Sequence, residues 1–197
     1  MKNKRLIMWI IIIIVLLIFG ASCKNMYNNM VNLREQVSRE WANVENQYQR
    51  RLDLIPNLVA TVKGYAEHEQ ETFDRVTQAR AKATSVNVDA GNLSAESIQQ
   101  YSAAQGELSS ALSRLLMVVE NYPELKANQN FLELQAQLEG TENRIAVERK
   151  KFNDTTTEYN QYIKRFPPVL FAGILGFKEK PYFDAEPQAS QAPKVEF

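Results

Sequence analysis

The sequence predicts an all-α protein, an antiparallel bundle of three to four long helices behind an N-terminal transmembrane or lipoprotein-signal segment. Residues 6–19 form an unbroken apolar run, which indicates that this end enters a membrane or the secretion machinery. Apolar side chains then recur at steps of three and four over residues 27–166, which is the period of an amphipathic helix. The pattern is most regular over residues 131–166 and has the form of a heptad seam.

The apolar run (LIMWIIIIIVLLIF) has the length of a signal-peptide core, but its extension through Gly20-Ala21-Ser22-Cys23 reaches the range of about 17 to 25 residues that spans a bilayer. Three interpretations stay open: an uncleaved signal anchor, a lipoprotein signal cut before Cys23, and a cleaved secretory signal. Small residues precede Cys23, as a signal peptidase requires, although Gly20 stands where a lipoprotein signal usually has Leu. Cys23 is therefore a candidate lipidation site, unless it merely ends an apolar helix.

The orientation follows from charge. Lys2, Lys4 and Arg5 precede the apolar run, whereas Lys24 and Arg34 are sparser beyond it. Because positive residues stay on the cytoplasmic side, the sequence predicts a cell-membrane protein, single-pass or lipid-anchored, with its bundle on the periplasmic or extracellular face.

The composition argues against several function classes. With 23 basic and 23 acidic residues, the chain lacks the basic excess of a nucleic-acid binder. One cysteine permits neither an internal disulfide nor a thiolate metal site. The one histidine, His68, reads as an exposed residue on a helical face, and no catalytic or phosphate-binding motif is present. No catalytic, cofactor-binding or metal residue is assigned, no cofactor is expected, and the chain is expected not to be an enzyme.

The pattern divides the chain into successive helices. Pro56 suits the first turn of a new helix or a kink. Residues 84–94 form a break, and Ser94 is the predicted cap of the helix that follows. Phe166-Pro167-Pro168 ends the last long helix. The apolar positions of the first helical face are Val37, Trp41, Val44, Tyr48, Leu52 and Ile55.

The predicted organisation has four parts. These are an anchor or signal segment (1–23), a helical bundle (24–166), an apolar segment that docks on the bundle (167–183) and a disordered tail (184–197). The stretch VLFAGILGF within the third part is too short to span a bilayer, so it docks on the bundle, lies at the membrane surface or holds a partner. Its candidate partner-contact residues are Phe171, Ile174, Leu175 and Phe177.

Two further patterns have competing interpretations. Arg50-Arg51 reads as a solvated helix face, with lipid-headgroup contact as the alternative. The aromatic residues at helical spacing predict a packed core, with a groove for a partner helix as the alternative.

Several blocks, in order, resemble the LemA family. They lie at residues 50–59 (RRLDLIPNLV), 62–66 (VKGYA), 120–127 (ENYPELKA), 130–132 (NFL), 138–146 (LEGTENRIA), 159–160 (YN), 176–177 (GF) and 193–197 (PKVEF). The resemblance implies a bacterial membrane protein with a short N-terminal anchor and a bundle of long helices. It also implies association with membrane proteases and other envelope-maintenance proteins, and it supplies no catalytic residues.

The functional expectation is a membrane-tethered helical scaffold or adaptor in the cell envelope, without catalytic activity, which contacts the bilayer and an envelope protein but no nucleic acid. The alternative is a lipid-engaging protein that binds or remodels the membrane surface. The residues do not indicate the oligomeric state.

Overall fold

The computed structural model describes residues 2–183, and within this range the chain forms α-helices, one 3₁₀ turn and no strand. The predicted all-α class is confirmed, whereas the predicted tail 184–197 lies outside the described residues. The elements in chain order are α1 (Lys2–Lys63), α2 (Gln70–Ser85), the 3₁₀ turn (Ala90–Asn92), α3 (Ala95–Val119), α4 (Pro123–Lys126), α5 (Gln129–Lys164) and α6 (Val169–Ala172).

The first helix is longer than the sequence pattern indicated. It runs without interruption from the apolar N-terminal run into the bundle, over 62 residues. Pro56 lies inside this helix, so of the two interpretations given for it, a new helix or a kink, the new helix is wrong. The chain instead turns over residues 64–69, where Ala66 is buried and His68 is exposed. His68 therefore lies in a turn and not on a helical face.

The predicted antiparallel bundle is confirmed by contacts between its long helices. α5 runs antiparallel to α1, because Arg51 pairs with Glu142 and Trp41 packs against Phe152. The C-terminal end of α5 therefore points toward the anchor. The turn at residues 64–69 lies at the end of the bundle far from the anchor, and we call it the distal turn. α2 returns from it beside α1. α3 then runs parallel to α1, and its Tyr101 packs edge-on against Tyr48 with 5.3 Å between the ring centroids.

Two clusters of buried side chains stabilise the bundle. The anchor-proximal cluster is formed mainly by α1, α5 and the residues that follow α5, and the distal cluster by α1, α2, α3, α4 and α5. The most buried members of the proximal cluster are Met30, Val37, Trp41, Val44, Phe152 and Tyr159. Those of the distal cluster are Leu58, Val62, Val76, Leu108, Leu115 and Leu125.

The seam predicted on α5 faces α1 over most of its length. Phe131, Ile145, Phe152 and Tyr159 are buried, and the polar seam residue Thr141 is buried as well, with its hydroxyl bonded to the carbonyl of Gln137 at 2.7 Å. The seam ends earlier than expected, because α5 ends at Lys164. Phe166 therefore lies beyond the helix and is 79% exposed, and Ile163 takes the last buried position.

Candidate functional site

The anchor side chains lie outside the bundle. The large apolar side chains from Ile7 to Phe19 are all exposed, and the most apolar window of this stretch contributes nothing to the buried core. The Ser22 hydroxyl donates to the carbonyl of Ile18 at 2.9 Å, which satisfies the one polar side chain of the extension within the helix itself. Cys23 is half-buried on the same helix. Among the described residues, this is the one helix long and apolar enough to cross a membrane.

The four candidate partner-contact residues separate into two pairs. Phe177 is buried, with its ring edge-on to Tyr27 at 5.7 Å and the Arg34 guanidinium 5.2 Å above it. Phe171 is half-buried and packs against the proximal cluster. Ile174 is 85% exposed, and Leu175 is exposed to a lesser degree. Partner contact through these four residues remains a prediction. Of the four, Ile174 and Leu175 are exposed enough for a partner to reach them.

A compact turn reverses the chain between these residues. α6 ends at Ala172, and the Phe177 amide donates back to the Ala172 carbonyl at 2.8 Å. This closure needs Gly176, whose φ of 78° lies in the left-handed region that side chains rarely adopt. The turn thus places Phe177 against α1 while the side chains between α6 and Gly176 point outward.

The chain then returns along the bundle as an extended segment, residues 178–183, held by two asparagines of α5. The Asn160 amide donates to the Lys180 carbonyl at 2.8 Å, and its oxygen accepts the Lys180 amide at 2.9 Å. Asn153 makes the same two bonds to the backbone of Phe183, at 3.1 and 2.9 Å. The Tyr159 hydroxyl donates to the Lys178 carbonyl at 2.8 Å. These contacts bind the backbone, so they fix the path of the segment with little dependence on its side chains.

The extended segment ends in an aromatic cluster. Phe183 stacks on Trp41 with 5.5 Å between centroids and an interplanar angle of 13°. It also meets Phe152 edge-on at 5.5 Å, and the Arg149 guanidinium lies 5.0 Å above its ring. Most of the aromatic stripe therefore forms core, which the segment after α6 completes, whereas its members Tyr65 and Phe166 are exposed.

Arg51 occupies the junction of three helices, so the interpretation of Arg50-Arg51 as a solvated face is wrong for Arg51. Its side chain is 2% exposed, whereas Arg50 is exposed. One terminal nitrogen donates to Ser109 at 2.9 Å and to both oxygens of Glu142 at 3.0 Å. The other donates to the backbone carbonyl of Gln105 at 3.2 Å. Arg51 thereby connects α1 to α3 and α5.

Three titratable groups whose pKa values are perturbed are parts of the packing. Burial raises the pKa of the Tyr101 hydroxyl, and the neighbouring Tyr48 and Glu45 raise it further. Burial also raises the pKa of Tyr159. Burial lowers the pKa of Lys180, and the nearby Arg34 adds to that effect. Both tyrosines therefore remain protonated at neutral pH, and the Tyr159 hydroxyl donates to the Lys178 carbonyl.

Comparison with known proteins identifies the family. The model of the LemA family matches residues 40–197. The chain belongs to the LemA family. Most of the match lies in the bundle. It includes residues 176–177, which close the turn after α6. It also includes residues 159–160, which hold the extended segment of this LemA-family chain.

Named relatives share moderate identity with this LemA-family chain. Magnetosome protein MamQ of Magnetospirillum gryphiswaldense is 29% identical over an alignment of 180 residues that covers 82% of this chain and 65% of MamQ. Magnetosome protein MamQ 2 of Paramagnetospirillum magneticum is 28% identical over an alignment of 188 residues that covers 86% of this chain and 68% of the relative. Protein LemA of Metamycoplasma hominis is 23% identical over 139 residues, 71% of this chain and 60% of that protein. The chain thus spans about two thirds of the length of these relatives.

The roles of Asn153 and Asn160, which hold the extended segment, were not found from the sequence. Asn153 and Asn160 lie seven positions apart, two turns of α5, and this spacing matches the step from Lys180 to Phe183 in an extended chain. Asn160 was among the residues that resemble the LemA family. The spacing of Asn153 and Asn160 becomes informative only when the position of the extended segment is known.

In the part of the chain that the structure describes, no group of three or more His, Cys, Asp or Glu side chains could hold a metal ion.

Proposed function

We propose that this LemA-family chain is a membrane-tethered helical adaptor without catalytic activity, which acts on another envelope protein, with membrane proteases as a candidate class. The observation that carries the proposal is the continuity of α1. The apolar side chains at residues 7–19 of this helix are exposed, whereas Met26, Met30 and Val37 of the same helix are buried in the core of the bundle. A helix of this form holds the bundle at a fixed distance from the bilayer.

The interior supports a scaffold role. The buried Arg51 side chain joins three helices through its contacts with Ser109, Gln105 and the half-exposed Glu142, and the two asparagines of α5 hold the extended segment. These polar side chains make structural contacts that hold the helices and the extended segment in position. Rigid, well-packed surfaces favour binding because little conformational entropy is lost on association.

The bundle is proposed to lie outside the cytoplasm. Lys2, Lys4 and Arg5 precede the apolar run, and the positive-inside rule places them in the cytoplasm. The fold also brings Lys164 and Lys178 toward the end of the anchor from which the bundle extends, where Lys24 follows the apolar run in the sequence, so the charge difference between the two ends of the anchor is smaller than the sequence alone indicates. The orientation therefore needs a direct test, such as protease accessibility of the bundle in spheroplasts and in inverted vesicles.

The adaptor role is tested by site-specific photocrosslinking in native membranes. A photoreactive residue at Met117 on α3 or Val147 on α5 probes two exposed apolar positions of the bundle. One discrete adduct with the same envelope protein, lost when a neighbouring surface residue is made acidic, supports the proposal. Adducts with lipid alone, or none from either position, contradict it.

A lipid-engaging role is the second candidate function. The observation that favours it is the set of apolar side chains that remains exposed where the bundle meets the anchor. It differs from the adaptor role in its partner, a bilayer instead of a protein, and the two roles are compatible on separate surfaces.

A further inference from the structure

Five apolar side chains form an exposed surface around the turn after α5, and we call this surface the apolar ledge. Its most exposed members are Phe166 at 79% and Ile174 at 85%. The full set is Phe166, Val169, Leu170, Ile174 and Leu175. Contiguous exposed apolar surface on a folded chain marks a contact with a protein or a membrane.

The position of the ledge identifies its occupant. Because α5 runs antiparallel to α1, the turn that follows Lys164 lies on the anchor side of the bundle. Buried neighbours of the ledge, Ala172 and Phe177, pack in the same cluster as Met26 and Met30 of α1. Met26 lies three residues beyond Cys23, where the apolar stretch long enough to span the bilayer ends, about 5 Å along the helix.

That distance matches the thickness of the membrane interface. The hydrocarbon core is about 30 Å thick and the whole bilayer about 40 to 45 Å, which leaves an interfacial layer of several Å on each side. With the anchor across the core, the ledge lies at the level of the headgroups. Apolar side chains that enter this layer reach the boundary with the acyl chains.

The charges around the ledge favour a lipid surface over an apolar protein groove. Lys164, Arg165 and Lys178 are exposed beside it, and Lys24 is exposed on α1 one turn before Tyr27, whose ring meets that of Phe177. Glu179 pairs with Lys164 at 2.7 Å, which leaves the set with a net positive charge. A basic rim around an apolar centre complements anionic headgroups above acyl chains.

We infer that the apolar ledge inserts into the interfacial layer of the bilayer that the anchor crosses, with the surrounding basic side chains on anionic headgroups. The chain then contacts the membrane at two places, the anchor helix and the ledge. The bundle is thereby fixed in rotation about the α1 axis, with the α5 side toward the lipid. This inference rests on the proposed membrane anchorage and does not depend on the adaptor role.

The test measures the depth of single fluorescent probes in the full chain, reconstituted in vesicles with and without anionic lipid. Cys23 is replaced by Ala, and an environment-sensitive fluorophore is attached at Ile174→Cys in the ledge. Leu17→Cys in the anchor is the control for insertion. Val147→Cys, exposed on α5 away from the ledge, is the control for the bundle surface. Lipids that carry a quencher near the headgroup report contact with the interface.

The expected result is loss of fluorescence at positions 17 and 174 and none at position 147, with the loss at 174 greater in anionic vesicles. Quenching at 17 without quenching at 174 overturns the inference and leaves the anchorage intact. No quenching at 17 overturns both. A probe at 174 that is shielded only in native membranes, and unquenched in pure lipid, identifies a protein occupant and also overturns the inference.

A second variant separates insertion from proximity. With the probe at Leu175→Cys, the double substitution L170D/I174D adds charge to exposed positions, so the helix content measured by circular dichroism is expected to remain unchanged. Quenching at 175 is then expected to fall to the level of the bundle control. Quenching that persists in the charged variant shows that the ledge lies near the bilayer without entering it, and this result contradicts the proposal.

Discussion

The guanidinium of Arg80 on α2 donates to the backbone carbonyl of Leu52 on α1, with 3.0 Å from Nε to the oxygen. In an uninterrupted helix this carbonyl would accept the amide of residue 56, but Pro56 has no amide hydrogen. Arg80 therefore supplies the hydrogen bond that the proline removes. This relationship explains how α1 continues through Pro56 at a position where the sequence suggests a new helix.

The pairing predicts that Pro56 and Arg80 are coupled. Arg80→Met leaves the Leu52 carbonyl without its donor and is expected to lower the free energy of unfolding by about 1 to 2 kcal/mol. Pro56→Ala restores the helical amide, so the same Arg80→Met change should cost much less in that background. Urea denaturation of the four variants in mild detergent measures the coupling. Arg75→Met, at an exposed α2 position, is the control, and equal costs in both backgrounds would contradict the explanation.

A second double-mutant cycle concerns Arg51 and Glu142. The pair is buried on the Arg51 side, and Glu142 is about half exposed, so solvent weakens it relative to a fully buried pair. We expect a coupling free energy of about 1 to 3 kcal/mol. Lys82 and Glu107, both more than half exposed, form the control pair, whose coupling should not exceed about 1 kcal/mol. Equal coupling in the two cycles would show that Arg51 is no more than a surface partner.

Asn160 is expected to control the exchange of one backbone amide. Asn160→Ala removes the acceptor of the Lys180 amide, and hydrogen exchange at Lys180 should accelerate by roughly tenfold. Asn160→Asp keeps an acceptor but loses the donor to the Lys180 carbonyl, so its effect should be smaller. Asn143→Ala, at an exposed position of α5, is the control. Unchanged exchange at Lys180 in Asn160→Ala would mean that the segment is held by other contacts.

Tyr101 should make the fold sensitive to alkaline pH. Its pKa is raised above the ordinary 10.0, chiefly by burial, so the folded chain keeps a proton that the unfolded chain releases above that pH. Stability from this group is fully present below about pH 10 and falls as the pH rises further. Tyr101→Phe should therefore flatten the alkaline decline in the free energy of unfolding. Parallel declines in the two proteins, measured by urea titration at a series of pH values, would assign the effect elsewhere.

The continuity of α1 through Cys23 predicts an uncleaved anchor. Signal peptidases act on extended backbone, whereas Cys23 lies within a helix that continues on both sides. Mass spectrometry of the protein extracted from its membrane should find the residues before Cys23 retained and joined to an unmodified Cys23. A mass that begins at Cys23 and includes acyl chains would instead establish a lipoprotein. Cys23→Ala distinguishes these outcomes, since it blocks lipidation and leaves an uncleaved anchor unaffected.

The periodic parts of this fold could be predicted from the sequence because their signals are local. The seam of α5 continues in steps of three and four, so its buried face follows from the helical period alone. The cap at Ser94 is also confirmed, with its side chain accepting the Ser97 amide at 3.1 Å. The end of α5 before Pro167 follows from the geometry of proline.

The remaining features depend on residues that are distant in the chain. Arg51 is an ordinary charged residue on a helix until α3 and α5 enclose it, and no local pattern marks its partner Glu142. The continuity of α1 through Pro56 requires Arg80, which lies on another helix. Likewise, Ile174 and Phe177 belong to one apolar stretch, and only the turn at Gly176 exposes one and buries the other.

Because α1 is unbroken, a change in the tilt of the anchor moves the whole bundle. Residues 24–63 of α1 extend about 60 Å from the end of the anchor. Transmembrane helices commonly tilt by about 20°, and they tilt further when the bilayer becomes thinner than their apolar length. Without a hinge, a change of about 20° at the anchor moves the distal turn by roughly 20 Å. Bilayer thickness thereby changes the position of the bundle's far end, and under the proposed adaptor function a partner bound there would respond to the lipid composition without contacting lipid.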